Sequence, residues 1–164
     1  IVPQSNAALI EDEDAMALIK ELGSDQIIVA YTFNFRTESG LNTDLSRLAA
    51  LNDALFRSLS LHSYDPSHLG EVPRTPLFIT SSNFDPTVYG QSFVDSYARR
   101  LGVESSPGVP IPFLISTTMD PWITDVEPNE SIPDGNFIPT IIDALRTTAR
   151  TIIANGEPFQ PLTF

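Results

Sequence analysis

The run Ile27-Ile28-Val29-Ala30 is continuously apolar and then passes into an alternation that puts Tyr31, Phe33 and Phe35 on one side. A period of two is the mark of a strand on a pleated sheet, so residues 27–35 are predicted to be extended. Thr37-Glu38-Ser39-Gly40 breaks that strand. Downstream the period lengthens. Leu45, Leu48, Ala49, Asn52, Leu55, Phe56 and Leu59 form one stripe at helical spacing, which predicts a helix over 42–61 with Asn42 or Thr43 as its N-cap. Asn52 interrupts the stripe, and a buried amide there needs a hydrogen-bond partner.

The same reading places the flanking elements. Glu11-Asp12-Glu13-Asp14 precedes Ala15, Leu18, Ile19 and Leu22 at helical spacing, and Gly23 ends the segment. Acidic side chains in a first turn suit the positive end of a helix dipole, so the cluster reads as a helix start. After a polar loop, residues 76–84 read as a second strand. Asp85 then supplies an N-cap and Pro86 a first helical position for a helix to Leu101. Its apolar side is expected to be Val88, Tyr89, Phe93, Tyr97 and Leu101, with Arg99 and Arg100 in the last turn and Gly102 as the stop. A third strand is predicted over 113–119. The last helix is predicted over 138–154, with Ile138, Ile141, Ile142, Leu145, Ala149, Ile152 and Ile153 on its buried side and Asn155-Gly156 closing it.

Helices and strands in this order predict an α/β domain of the α+β kind. The expected sheet is small and open, mainly antiparallel or mixed, with roughly three to five strands covered by about four helices. An extra short strand is expected within 103–112 or near the termini. The 164 residues suit one domain: a helical extension over 1–25, a core over 26–154, and a tail over 155–164 lying extended on the surface.

Charge narrows the partners. The net charge is -12 and the isoelectric point is about 4.3. Nucleic acid and anionic membrane surfaces both call for Lys and Arg, so neither is an expected partner. An acidic surface suits solubility, cations or a basic partner. The absence of cysteine removes disulfides, thiolate zinc sites and thiol nucleophiles, and the cytoplasm is the expected location. The first residues, Ile1-Val2-Pro3-Gln4-Ser5, lack the basic region of a signal peptide and look like a piece of a longer chain.

Candidate chemistry is sparse. Lys20 is the single lysine and lies on the polar side of the first helix; His62 and His68 share one proline-containing loop. Neither a G-x-S-x-G elbow, an H-E-x-x-H pair, a G-x-G-x-x-G turn nor a Walker A loop occurs. Asp120, Asp125, Glu127 and Asp134 crowd one loop with Glu130 and Asn129, and such oxygen donors could cage Ca2+ without the order of an EF-hand; the plain alternative is a solvated loop. Trp122, with Tyr64 or Tyr89, could form a stacking platform for carbohydrate; the plain alternative is that Trp122 packs over the core edge.

Taken in order, several segments carry a resemblance. They are Ala30-Tyr31-Thr32-Phe33-Asn34-Phe35, Leu41-Asn42-Thr43-Asp44-Leu45 with Ala50 to Leu55, Pro76 to Phe84, Thr80 to Arg100, Phe113 to Met119, and Ile138 to Ile153. Together they resemble the C-terminal small domain of group II pyridoxal-phosphate decarboxylases, the aromatic-amino-acid decarboxylase family, in its noncanonical fungal branch. The resemblance implies a small-domain fold and a non-catalytic role, packing on or regulating the catalytic domain of a parent carboxy-lyase. Pyridoxal phosphate would belong to that parent, with none held here. In that family the cofactor lysine, its preceding histidine and the aspartate facing the pyridine nitrogen lie in a large domain, so no catalytic residue maps onto this sequence. The helix over 86–101 departs from the family pattern as an insertion between two strands. Self-association is the other partner expected. The competing reading is a standalone carbohydrate- or protein-binding module that reuses the fold.

Overall fold

The computed structural model describes residue 8 and residues 11–22, 28–60, 75–117, 127–130 and 132–162, with the backbone alone for 19–22. Among them are five strands and five helices. The strands are β1 (Ile28–Tyr31), β2 (Arg36–Thr37), β3 (Gly40–Leu41), β4 (Thr80–Phe84) and β5 (Ile111–Thr117). The helices are α1 (Glu13–Leu22), α2 (Leu45–Ser58), α3 (Pro86–Tyr89), α4 (Gln91–Leu101) and α5 (Ile138–Ala154). The chain is an α+β fold. A three-stranded antiparallel sheet has the order β1-β5-β4, and β2 and β3 form a separate hairpin. The extra strands thus lie at 36–41, where the sequence pattern suggested only a break.

β1 is shorter than its alternation implies, and Pro112 supplies the reason. β1 pairs with β5 from Ile28↔Thr117 to Tyr31↔Leu114. Continued pairing would need an N–H from Pro112, which has none. The Pro112 carbonyl instead accepts a hydrogen bond from the Thr32 hydroxyl at 2.9 Å. The chain leaves the sheet at that point. On its other side β5 stays paired with β4 as far as Phe84↔Ile111.

α2 begins later than expected, and Asp44 is its N-cap instead of Asn42 or Thr43. The Asp44 carboxylate accepts from the backbone N–H groups of Ser46 at 2.7 Å and Arg47 at 3.3 Å. The buried face of α2 is Leu48, Leu51, Asn52, Ala54, Leu55 and Ser58, with Ala49 and Phe56 only partly covered. The helix expected over 86–101 is two. Gly90, at φ 83° and ψ 141°, cannot continue a right-handed helix, so α3 ends there and α4 starts afresh. Asp85 and Pro86 open α3 as the sequence suggests. Gly102 caps α4 in the left-handed region at φ 76°. α5 has the bounds its period predicts.

α2 packs on β5 on one side and on α5 on the other. Leu51, Ala54, Leu55 and Leu59 meet Leu114 of β5 and Leu145, Ala149 and Ile152 of α5 in the main core. A second cluster joins Leu48 to Val94 and Ala98 of α4, Val103, and Ile111 of β5. Each fully buried Leu or Ile side chain contributes about 1.5–3 kcal/mol relative to an exposed one, so α2 is the central structural element. The tail does not simply lie on the surface. Phe159 is buried edge-on against Phe35, at 5.1 Å between ring centres, and the Ser58 hydroxyl accepts from the Leu162 N–H at 2.8 Å. Arg47 on α2 pairs with Glu157 and fastens the start of the tail.

Candidate binding surface

Three asparagines hold the segment that follows β1. Asn52 accepts from the Phe33 N–H at 2.9 Å and donates to the Phe33 carbonyl at 2.8 Å. Asn34 donates to the carbonyls of Asn42 and Leu101, at 2.9 and 2.8 Å, and so ties the segment to the end of α4. Asn42, itself buried, donates to Asn34 Oδ1 at 3.1 Å and to the Asp44 carbonyl at 2.9 Å. Because the Thr32 proton goes to Pro112, the Tyr97 hydroxyl must donate to Thr32 Oγ1 across 2.9 Å. That bond anchors α4 to the sheet.

Tyr97 is one end of an aromatic row. Tyr89, Phe93 and Tyr97 recur every four residues across the Gly90 break. Tyr89 and Phe93 stack with centres 5.7 Å apart, and Phe93 and Tyr97 with centres 6.4 Å apart and planes inclined by only 7°. Phe84 presses against all three at 4.8–5.2 Å and stacks on Phe113 at 4.1 Å. The Arg100 guanidinium lies 5.3 Å over the Tyr97 ring. The sequence stripe assigned Val88, Tyr89 and Phe93 to the buried side, but the helix is buried through Val94 and Ala98. Val88 is 75% exposed, Tyr89 48% and Phe93 38%.

A rigid turn lies beside the row. Val109 N–H bonds to the Ser106 carbonyl at 3.1 Å, with Pro107 and Gly108 (φ 74°) in the central positions of a type II turn. Gln91, the first residue of α4, accepts from the Gly108 N–H at 3.0 Å and donates to Asp95 at 2.7 Å. Ser105 also donates to Asp95, at 2.8 Å. These two hydrogen bonds hold the Asp95 carboxyl below the usual carboxylate range, Gln91 being the larger cause.

The second exposed apolar surface is the β1 edge. Ile28 is 56% exposed and Val29 48%, and neighbouring residues of a strand point to opposite faces. Ile28 and Val29 thus leave apolar surface exposed on both faces of β1, and among the described residues no strand pairs its outer edge. It carries no charged residue. Tyr31 is partly buried against the main core and shares a 2.6 Å hydrogen bond with Ser116, and burial pushes its hydroxyl above the ordinary tyrosine range.

Of the residues singled out by sequence, Tyr89 falls in the aromatic row, next to Phe84 and Phe93. Trp122, Tyr64, Asp120, Asp125, His62, His68 and the side chain of Lys20 lie outside the described residues. Glu127 and Asp134 are exposed, and Asp134 accepts from the Asn136 N–H at 3.2 Å. Among the described residues no three acidic or histidine side chains gather in one place. Sequence reasoning missed Val88, Phe93, Ile28 and Val29 as surface residues. Gly90 inside a helical pattern, and an apolar strand with no charged residue within it, were the signals available.

No protein-family model matches this sequence, and no curated protein matches it. Among the described residues no helix is long and apolar enough to cross a membrane.

Proposed function

We propose that this domain works by contact, as the small domain of a pyridoxal-phosphate decarboxylase-like protein that packs on a catalytic core. The observation that carries the reading is β1. An edge strand with Ile28 and Val29 exposed on opposite faces and no charge along it is a template for another strand or a covering surface. Isolated domains normally blunt such an edge with lysine, proline or a bulge. The resemblance of residues 26–154 to the decarboxylase small domain supplies the kind of partner. The chain offers one lysine, Lys20, at a polar position of α1, so the cofactor and its chemistry belong to the partner domain.

The test is the native state of the polypeptide that carries this sequence. Purified from its source, it is expected to weigh several times 18.0 kDa, or to travel with such a chain, and to release carbon dioxide from an amino acid when pyridoxal phosphate is bound. Val29→Asp is expected to loosen the domain from the core and lower that activity. A native polypeptide of 18.0 kDa with no pyridoxal-phosphate enzyme attached would overturn the proposal.

A further inference from the structure

We infer that Asn155 is a self-modification site governed by the tail. When residues 157–162 lift from the core, the Gly156 nitrogen closes on the Asn155 side chain, and the aspartate or isoaspartate that results holds the tail less firmly. The inference concerns the hinge between α5 and the tail and does not rest on the decarboxylase reading.

Chemistry selects this pair of residues. The backbone nitrogen that follows an asparagine can attack the side-chain Cγ. A bond forms between them, the bond from Cγ to the side-chain nitrogen breaks, and ammonia leaves behind a five-membered imide ring. Water then opens the ring at one of its two carbonyls. One opening gives aspartate; the other gives isoaspartate, whose main chain runs through the former side chain. Water is the only co-reactant, and nothing is oxidised or reduced. A side chain on the following residue obstructs the attack, and glycine has none. Of all the asparagines in the chain, Asn155 alone precedes glycine. Both residues are exposed, and a Cβ placed on Gly156 would meet nothing within 4 Å, so the ring has room to form. Asn34, Asn42 and Asn52 are instead held by hydrogen bonds inside the fold.

The fold governs the timing. Asn155 caps α5 at φ -73° and ψ -8°, close to helical, and the Gly156 N–H donates to the Ile153 carbonyl at 3.1 Å. A bonded N–H in a near-helical turn is held back from Cγ. Contacts just downstream fasten that turn: Arg47 Nε donates to Glu157 at 2.8 Å, Phe159 is buried against Phe35, and the Leu162 N–H donates to Ser58. Chain ends open locally at far lower free energy than a core, so the tail lifts while α5 stays packed. The product then acts on the same hinge. The C-terminal end of a helix carries partial negative charge, and the last turn of α5 contains no basic residue, so a carboxylate at 155 is unfavourable there. Isoaspartate also adds a backbone carbon between α5 and Glu157, which shifts the reach of the tail toward Arg47 and Phe35.

The experiment is incubation of the 164-residue chain at mildly alkaline pH, followed by digestion and mass spectrometry with electron-transfer fragmentation, which tells isoaspartate from aspartate. Asn155 is expected to be the first asparagine lost, with isoaspartate among the products. It should react at least about tenfold more slowly than in a free peptide of the same local sequence. Arg47→Gln leaves the sequence around Asn155 unchanged and is expected to speed the loss about twofold or more, and Phe159→Ala about tenfold or more. Hydrogen exchange reads the consequence. The Leu162 amide should exchange about threefold or more faster in the Asn155→Asp chain than in the parent, whereas Asn155→Gln, an exposed change that keeps the amide, should match the parent. Circular dichroism checks that each variant is folded; if Phe159→Ala does not fold, Arg47→Gln decides the point. The inference is overturned if Asn155 stays intact while the free peptide reacts, or if it reacts as fast as the free peptide. An unchanged rate in Arg47→Gln, or parental exchange at Leu162 in Asn155→Asp, would overturn it equally.

Discussion

The side-chain amide of Asn52 forms two hydrogen bonds with the main chain of Phe33, accepting from its N–H at 2.9 Å and donating to its carbonyl at 2.8 Å. An amide can imitate one rung of a β-ladder in this way. The chain needs such a rung because β1 has just left the sheet beside Pro112. Asn52 is also buried within the α2 stripe, so its polarity is satisfied by the segment it holds.

Asn52→Leu removes both bonds and leaves the Phe33 N–H and carbonyl without these partners. Each buried backbone group so stranded costs about 1–3 kcal/mol, and a total loss of about 2–4 kcal/mol is expected. Urea unfolding followed by circular dichroism measures it. A loss below about 0.5 kcal/mol would show that the Phe33 segment rearranges freely.

The N-cap of α2 separates two neighbouring residues. Asp44→Ala is expected to cost about 1 kcal/mol, while Thr43→Ala should stay within about 0.5 kcal/mol. Equal effects of the two changes in the same unfolding assay would contradict the assignment of Asp44 as the cap.

Gly102 takes the left-handed conformation that ends α4, beside the exposed Leu41 side chain. Gly102→Ala is expected to lower stability by about 1–2 kcal/mol, because a Cβ is strained at positive φ and would also push Leu41 aside. Thermal melting reads the change directly, and an unchanged midpoint would refute the backbone argument.

The acid limb of the stability curve should carry the signature of Asp95. Hydrogen bonds from Gln91 and Ser105 depress its folded-state pKa below the unfolded value. A depressed carboxyl contributes stability that is present above the unfolded pKa, about 3.9, and is lost as pH falls through the folded one. Asp85, bonded to the side chain and backbone of Thr87, acts in the same direction. The doubly substituted Asp85→Asn/Asp95→Asn chain is therefore expected to show a shallower fall in unfolding free energy as pH drops below about 4. An unaltered slope would mean that neither hydrogen-bond set distinguishes the charged from the neutral carboxyl.

Much of this architecture could be read from periodicity. α5 matches its predicted bounds because Leu145, Ala149 and Ile152 repeat over a length that only a helix accommodates. Misreadings arose where a single residue acted through tertiary contact. Tyr31, Phe33 and Phe35 alternate like a strand, yet Pro112, about eighty residues further on, decides where pairing stops. Tyr89 and Phe93 belong to the apolar stripe of α3 and α4, but Phe84 occupies the space beneath them and leaves their outer sides to solvent. The tail looked like surface chain because two prolines interrupt it, and nothing local announced that Phe159 would meet Phe35. The exposed β1 edge was equally hidden: an apolar strand reads as buried until its neighbours are known.

Hydrogen exchange at Ile28–Tyr31 tests the contact reading most directly, by comparing residues 1–164 alone with the full native polypeptide that carries them. Packing on a catalytic core predicts that the outward amides of β1 exchange at least about tenfold more slowly in the native polypeptide, and that Val29→Asp abolishes the difference. Equal exchange rates in the two states would contradict it.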